Sequence, residues 1–509
     1  LPAEFFTQEG KAMRLITGIF LIFTSLYLKA DIIYVNNVIG NDTYNGKSEK
    51  YSEGKSGPLK TIGKAFYIVK TSGRIEVAAT GVPYPGGNTL WKRGGTPEKP
   101  LIINGNGAFI SGLKVVSPDK WKKVDDKIFV TAFTPKSNWF IGDMSIPHWL
   151  DSPQIWWREG KPGKNLKTMA ELKKTPGGFF WDKRSRKLYF HLPSGARMET
   201  EKISVPAYGT AICINTDFVV VKDFWASFSY NDGFDGHGRG KNIIFENCIG
   251  TDNCGQGFSI HDTNTVLYIN CLAARNASSG CCDVNNSLVT YRDCVFVDNT
   301  FESGVYGQGF SSHILENCLI MANRPSEQIW QKSFGSMTFE NCAIIGSADT
   351  TKNLLALDYG GASFNGCTFV NAPGFCNDLP VERVSLWLTD CVFSRIQRPL
   401  FTVPESHRSW LRGGGNIFSD CPGITFKNQL YGQKKWAQLS ATCWFGKKNG
   451  WLNSNSEKLY SCKEAEDLGI FYTRKGKKKI GALLPKTVFQ LYRRYLKQRP
   501  TASGLKSDN

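Results

Sequence analysis

The chain has 509 residues, 51 of them glycine, with 13% aromatics and a formal net charge of +18. That length can bury a large core, and the glycine and aromatic content favours a turn-rich β protein over a helical bundle. The charge is uneven: ten Lys/Arg against one Asp fall between Lys475 and Asn509, so half of the excess belongs to the C-terminal stretch. No aromatic-interleaved basic strand accompanies it, so nucleic-acid binding is not expected.

From the N-terminus, Met13 opens "MRLITGIFLIFTSLYLKA", with Arg14, an apolar run from Leu15 to Leu28 and a small residue at Ala30. This reads as a signal peptide cleaved near Ala30, hence an exported, secreted or periplasmic chain. No other apolar stretch is long enough to span a bilayer. Residues 31–118 then read as a strand, a loop, a capping helix from about Lys60 to Lys70 and the first coils of a stack. Such a helix would cover strand edges at the open end.

Residues 119–199 interrupt the pattern with six of the 14 tryptophans: Trp121, Trp139, Trp149, Trp156, Trp157 and Trp181. With "GGFFWDKRSRKLYFHLPSG", which predicts a hairpin, they are expected to form an inserted β subdomain, its tryptophans either core or a platform for sugar rings.

The main signal lies in residues 200–421. Cysteines recur at Cys248, Cys271, Cys294, Cys318, Cys342, Cys367 and Cys391, each 23 to 25 residues after the last. Three residues before each stands Phe245, Tyr268, Tyr291, Leu315, Phe339, Phe364 or Leu388. Units this short cannot bury themselves singly but can as coils of a stack. The expected fold is all-β, a right-handed parallel β-helix with three strands per coil, the hand following from the general rule for parallel crossovers. Asn253, Asn276, Asn299 and Asn323 form a second ladder, expected at a left-handed corner. Stacked cysteines lie about 4.8 Å apart, too far for a disulfide, and read as buried thiols. Residues 422–485 read as closing coils. Residues 486–509 form a basic tail whose start, "KTVFQLYRRYLKQRP", has an amphipathic helical pattern.

The segments "YVNNVIGNDTYNG", "PLKTIGKA", "FFWDKRSRKLYFHLPSG" and "IGALLP" together resemble the pectin-lyase-like superfamily of secreted β-helix proteins. The resemblance implies a carbohydrate-active role and leaves the reaction open. Within it, Asn215-Thr216-Asp217 and Gly236-His237-Gly238 are similar to polygalacturonase motifs. The Asp-Asp and Arg-Ile-Lys segments that accompany them in that family are missing, so the match is read as fortuitous.

The candidate site rests on the third strand of each coil. Phe234, Phe258, Cys281, Val305 and Ile329 align as an inward row. Strand alternation then turns Asp235, Ser259, Cys282, Tyr306 and Trp330 outward, and beyond them His237, His261, Val284, Gln308 and Lys332. Carboxylates and imidazoles exchange protons near neutral pH, so Asp235, His237, His261, Asp262 and Asp232 are the candidate catalytic residues. Ser259, Tyr306, Gln308, Trp330 and Lys332 are candidates to hold substrate. Capping of turns is the competing reading for both the aspartates and the histidines, and "HDTN" at 261–264 also reads as a turn. The expected activity is glycoside hydrolysis of a polysaccharide in a groove on the outer face of the β-helix. Elimination by a polysaccharide lyase on a uronic-acid glycan and non-catalytic glycan binding are the alternatives. No cofactor or metal is expected unless the reaction is an elimination, which could use Ca²⁺ on clustered Asp. The partner is a polysaccharide, acidic if the basic charge is used, and the chain is expected to be a monomer.

Overall fold

The computed structural model describes residues 31–133, 157–158 and 161–497, except 183, 301–302, 324–326, 347–351, 377–382, 404–410, 452–467, 469, 471 and 476–477. The segment read as a signal peptide, Trp139, Trp149 and Trp156 lie outside the described residues. The chain winds as a parallel β-helix. One coil is made by strands Ile243–Glu246, Ile249–Thr251 and Phe258–Ile260, and the next by Thr265–Ile269, Leu272–Ala274 and Cys281–Asp283. The first and second strands of successive coils share a 22-stranded sheet, and the third strands form an eight-stranded one. Register is held from coil to coil, with Phe245 opposite Tyr268 and Tyr268 opposite Tyr291.

Inward rows account for the stack. Tyr268 lies 4.9 Å from Phe245 and 4.8 Å from Tyr291, ring centroid to centroid and almost parallel. These distances match the spacing of neighbouring strands, so each ring packs on its image one coil away. The cysteines beside them are free thiols. Cys271 donates its S–H to the Phe245 and Ile269 carbonyls. Burial pushes the thiols of Cys271, Cys294 and Cys318 well above their usual range.

The corners differ from expectation in one respect. Asn253, Asn276 and their mates do not adopt the left-handed conformation; the residue before each one does, at Asp252, Arg275, Asp298 and Ala322. The asparagines instead form a buried amide ladder. Asn276 accepts from the Asn253 backbone and side-chain amides and donates to Gly250 O and Asn299 Oδ1. The primary amide is what the site requires, since it donates and accepts along the axis at once. Asn276→Leu should therefore cost about 1–3 kcal/mol by stranding the two donors of Asn253, read as a lowered urea midpoint with unchanged slope.

Three additions leave one face of the stack free for function. Helix Ile62–Ile68, capped by the Thr61 hydroxyl, buries Ile62, Ala65 and Phe66 in the main core with Ile33 and Ile75 of the first coils. The insert forms a five-stranded sheet with the expected hairpin, Phe179 facing Phe190. Trp121 and Trp181 are buried in its core beside Tyr230 and Cys254 of the coils, so neither is a sugar platform. At the C-terminus, the amphipathic pattern that opens the basic tail forms a docked helix, Lys486–Lys497. Val488, Phe489, Leu491 and Tyr495 cover the outer side of the second-strand row at Ile249, Leu272, Val295 and Leu319. Apolar spacing overrides the charge here, because Arg275 rests over the Tyr495 ring and Tyr495 Oη donates to Asp298. No described helix is long and apolar enough to cross a membrane.

Candidate functional site

The third-strand register is as the alternation requires: Asp235 pairs with Ser259, Ser259 with Cys282, Cys282 with Tyr306 and Tyr306 with Trp330. Exposure departs from expectation. Asp235, Ser259 and Tyr306 point away from the core yet are 0%, 1% and 3% exposed, and Asp232 is 1% exposed. Pointing outward therefore does not put these side chains in a solvent-facing groove. The accessible row is the second one, in which His237 and His261 are half-buried and Gln308 and Lys332 exposed.

His237 and His261 stack with centroids 4.2 Å apart and planes 9° from parallel. Asp235 Oδ2 lies 3.2 Å from His237 Nε2, and Asp262 Oδ2 lies 3.6 Å from Nδ1. One imidazole is thus held between a buried and an exposed carboxylate. Burial alone would depress the pKa of His237; the Asp235 carboxylate outweighs it, with Asp262 and Asp232 adding, so the ring is held above its ordinary value. His261 goes the other way, lowered by burial with the His237 charge beside it. Its Nε2 shares a hydrogen bond of 2.9 Å with Ser259 Oγ. Two stacked histidines thus favour opposite protonation states, one an acid and its neighbour a base.

Asp232 lies behind this pair. Burial and the nearby Asp235 charge push its carboxyl well above the carboxylate range, against the Gln256 N–H and His237. Its Oδ1 accepts from Gln256 N and its Oδ2 from Asn231 Nδ2, both local contacts. Asp262 is anchored by Gly238 N at 2.8 Å, where Gly238 takes a φ of +82° that a side chain would strain.

Further along, Tyr306 and Trp330 meet edge to face at 5.4 Å. The Tyr306 hydroxyl donates to Gln308 Oε1, Trp330 Nε1 donates to Asp358 Oδ2, and the Lys332 ammonium rests over the Trp330 ring. The expected substrate-holding residues thus form one contiguous strip, with Tyr306 as its buried support.

Asn215 and Asn264 carry weight that the sequence did not signal. Asn215 Oδ1 accepts from His237 N, and Asn264 Nδ2 donates to His261 O, so each fixes the backbone of one histidine. For Asn215 the available signal was its position, one coil before His237 in the same outward row. Asp217 caps the Lys241 amide. Asp252 pairs with Arg275 beneath the C-terminal helix. Neither belongs to the site.

Donor atoms of Asp235, His237 and His261 lie within 4.8 Å of one another. One carboxylate with two imidazoles suits a transition metal, whereas Ca²⁺ takes oxygen ligands. The rings, however, are nearly parallel, so their in-plane lone pairs run side by side, and one ring would have to turn for both to reach a single ion.

The family model for a right-handed β-helix region matches residues 210–377. Among solved structures, the chain is similar to XylC in complex with xylose, at 10% identity and a TM-score of 0.52, over 87% of this chain and 89% of that one. A structure described as a glycoside hydrolase matches at 12% identity and a TM-score of 0.48, over 79% and 97%. The pectate lyase Pel9A matches at 11% and 0.42, over 81% and 84%. No curated protein matches by sequence. Likeness at these identities speaks for the fold alone.

Proposed function

We infer that this pectin-lyase-like, right-handed β-helix protein acts on polysaccharide chains lying along the outer face of its third-strand sheet, by acid–base chemistry centred on His237. The observation that carries this is the imidazole held between buried Asp235 and exposed Asp262. Hydrolysis of a glycosidic bond requires a proton donor for the leaving oxygen and a second group to activate water or attack. His237, favoured in its charged form, is the donor in this reading, and Asp262 is the carboxylate that substrate can reach. Asp235 and Asp232 are too buried to meet a sugar and act by holding the charge and orientation of His237. The xylose bound by the similar XylC is consistent with a saccharide ligand, and export of the chain follows from the same reading, since polymers are met outside the cell.

His261 favours a second reading. A neutral imidazole beside a charged one could take the C5 proton of a uronate while His237 neutralises its carboxylate, which is elimination rather than hydrolysis. The two separate cleanly in one experiment. The purified protein is incubated with a neutral xylan, a polygalacturonate and a mannuronan, and reducing ends and the ultraviolet absorbance of unsaturated uronate are followed together. We expect reducing ends without absorbance, abolished in His237→Ala. Absorbance rising in step with reducing ends would make the reaction an elimination. Product formation equal in His237→Ala and the parent would remove this face from the chemistry.

A further inference from the structure

Beyond the histidines, the turn after the third strand carries a row of aromatic side chains that nothing in the core requires. Phe310 and Phe334 are 66% and 63% exposed, although burial is the norm for phenylalanine. Their rings are nearly parallel, 19° apart, with centroids at 5.9 Å, and Phe334 lies 5.0 Å from Tyr359. At such distances the rings are displaced along each other, which leaves part of each face uncovered. A cation accompanies the row: the Arg383 guanidinium lies over the Tyr359 ring and donates to its hydroxyl. One strand inward, Lys332 lies over Trp330. Among the described residues, neither cation has a carboxylate within ion-pair range.

We propose that Phe310, Phe334 and Tyr359, with Arg383 and Lys332, form an extended subsite that grips a polysaccharide several sugar units away from His237. This rests on the reading that the same face handles glycan chains, and adds that the protein requires long ones. Pyranose rings present apolar C–H faces to aromatic rings and acceptor oxygens to cations, which is the alternation found here. An apolar peptide or a second protein would want a contiguous apolar patch without the interposed charges. The platform continues the strip through Gln308 and Trp330. Four coils separate the Asp235 and Trp330 positions, about 19 Å at one strand spacing per coil. A disaccharide at His237 cannot reach that far, whereas a polymer can.

The test compares the parent with Phe310→Ser/Phe334→Ser/Tyr359→Ser and with Arg383→Ala/Lys332→Ala. Since all five side chains are at the surface, each variant should melt with the parent, which circular dichroism checks. Binding is read by retardation in native gels containing the xylan, the polygalacturonate or the mannuronan, all in a His237→Ala background so that no catalysis is needed. The triple aromatic variant should bind a polymer that retards the parent about tenfold more weakly, equivalent to about 1.4 kcal/mol. The cation pair should weaken the polygalacturonate or mannuronan more than the xylan if the bound chain is acidic, and all alike if it is neutral. In the catalytically intact background, the triple variant should lose turnover on polymer but not on short oligomers cut from it. Equal retardation of triple and parent, or a parent that none of the three polymers retards, overturns the subsite. Because binding is measured without His237, failure of the acid–base reading leaves this result standing, and the reverse also holds.

Discussion

Asp235→Asn is expected to lower turnover by about two to four orders of magnitude, the range for disabling a general acid or base, and to shift the pH profile in a defined direction. The substitution keeps the shape of the side chain and removes the charge next to His237 Nε2. Without it, burial of the imidazole is less opposed and its pKa falls. A reaction that uses the imidazolium is lost as pH rises through the pKa of that ring, so the alkaline limb of the variant should move to lower pH. The groups facing His237 are Asp235, Asp262, Asp232 and the stacked His261, and Asp262 remains in the variant to keep part of the effect. Stability has its own sign. The raised pKa of His237 contributes stability that is complete below the ordinary histidine range and lost as pH rises through the folded-state value. Asp232 behaves in the same sense from a lower starting point: its pKa is raised by burial and by Asp235, so its contribution is complete in acid and lost as pH rises through its raised value. NMR titration of His237 together with pH–rate profiles checks both. An unmoved His237 titration in Asp235→Asn would show that the pair does not communicate, and the acid role would then fall.

Asp283→Ala is expected to be the most destabilising single change on the third sheet, by about 3–5 kcal/mol, the range for breaking a buried pair. Asp283 points into the stack, in register with Ile260 and Gly307. Its carboxylate accepts from the Tyr291 hydroxyl at 2.9 and 3.1 Å and lies 3.0 Å from His313 Nε2, all three residues being at most 1% exposed. The cluster has room because residue 307 is glycine: a Cβ there would come within 2.3 Å of Gln331 Oε1 and 2.7 Å of His313 Cε1. Removing Asp283 leaves an imidazole and a phenol without their partner in the core. Replacing both members with apolar residues, Asp283→Leu/His313→Leu, in a Tyr291→Phe background that removes the stranded hydroxyl should recover most of the loss, because a well-packed apolar cluster needs no partner. Urea melts of Asp283→Leu, His313→Leu and their double in that background close a mutant cycle. If the double falls as far as the sum of the singles, the cluster is not a coupled unit.

This interior cluster shows where reading the sequence stops. The cysteine period, and the aromatic three residues before each cysteine, fixed coil length, strand register and inward rows, because a side chain that stacks on its own image repeats at the coil period. Alternation by two placed Asp235 and His237 on one side of the strand and His261 beside His237, since both rules are local to the backbone. Exposure is not local. Whether Asp235 meets solvent depends on its neighbours across coils, and it turned out buried behind His237. At the C-terminus the apolar spacing within the basic tail predicted a helix, and the fold showed which row of the stack it covers. Alternation turns Asp283 inward, two residues after Cys281, and the coil-to-coil packing of Tyr291, His313 and Gly307 supplies the partners it meets there. Phe310 and Phe334 stand at one offset from their strands and Tyr359 one residue nearer, and the fold shows that these rings form one exposed row. Sequence periodicity determined which residues become neighbours along the stack; tertiary packing decided which of those neighbours water can reach, because accessibility is set by everything around a side chain and not by its own strand.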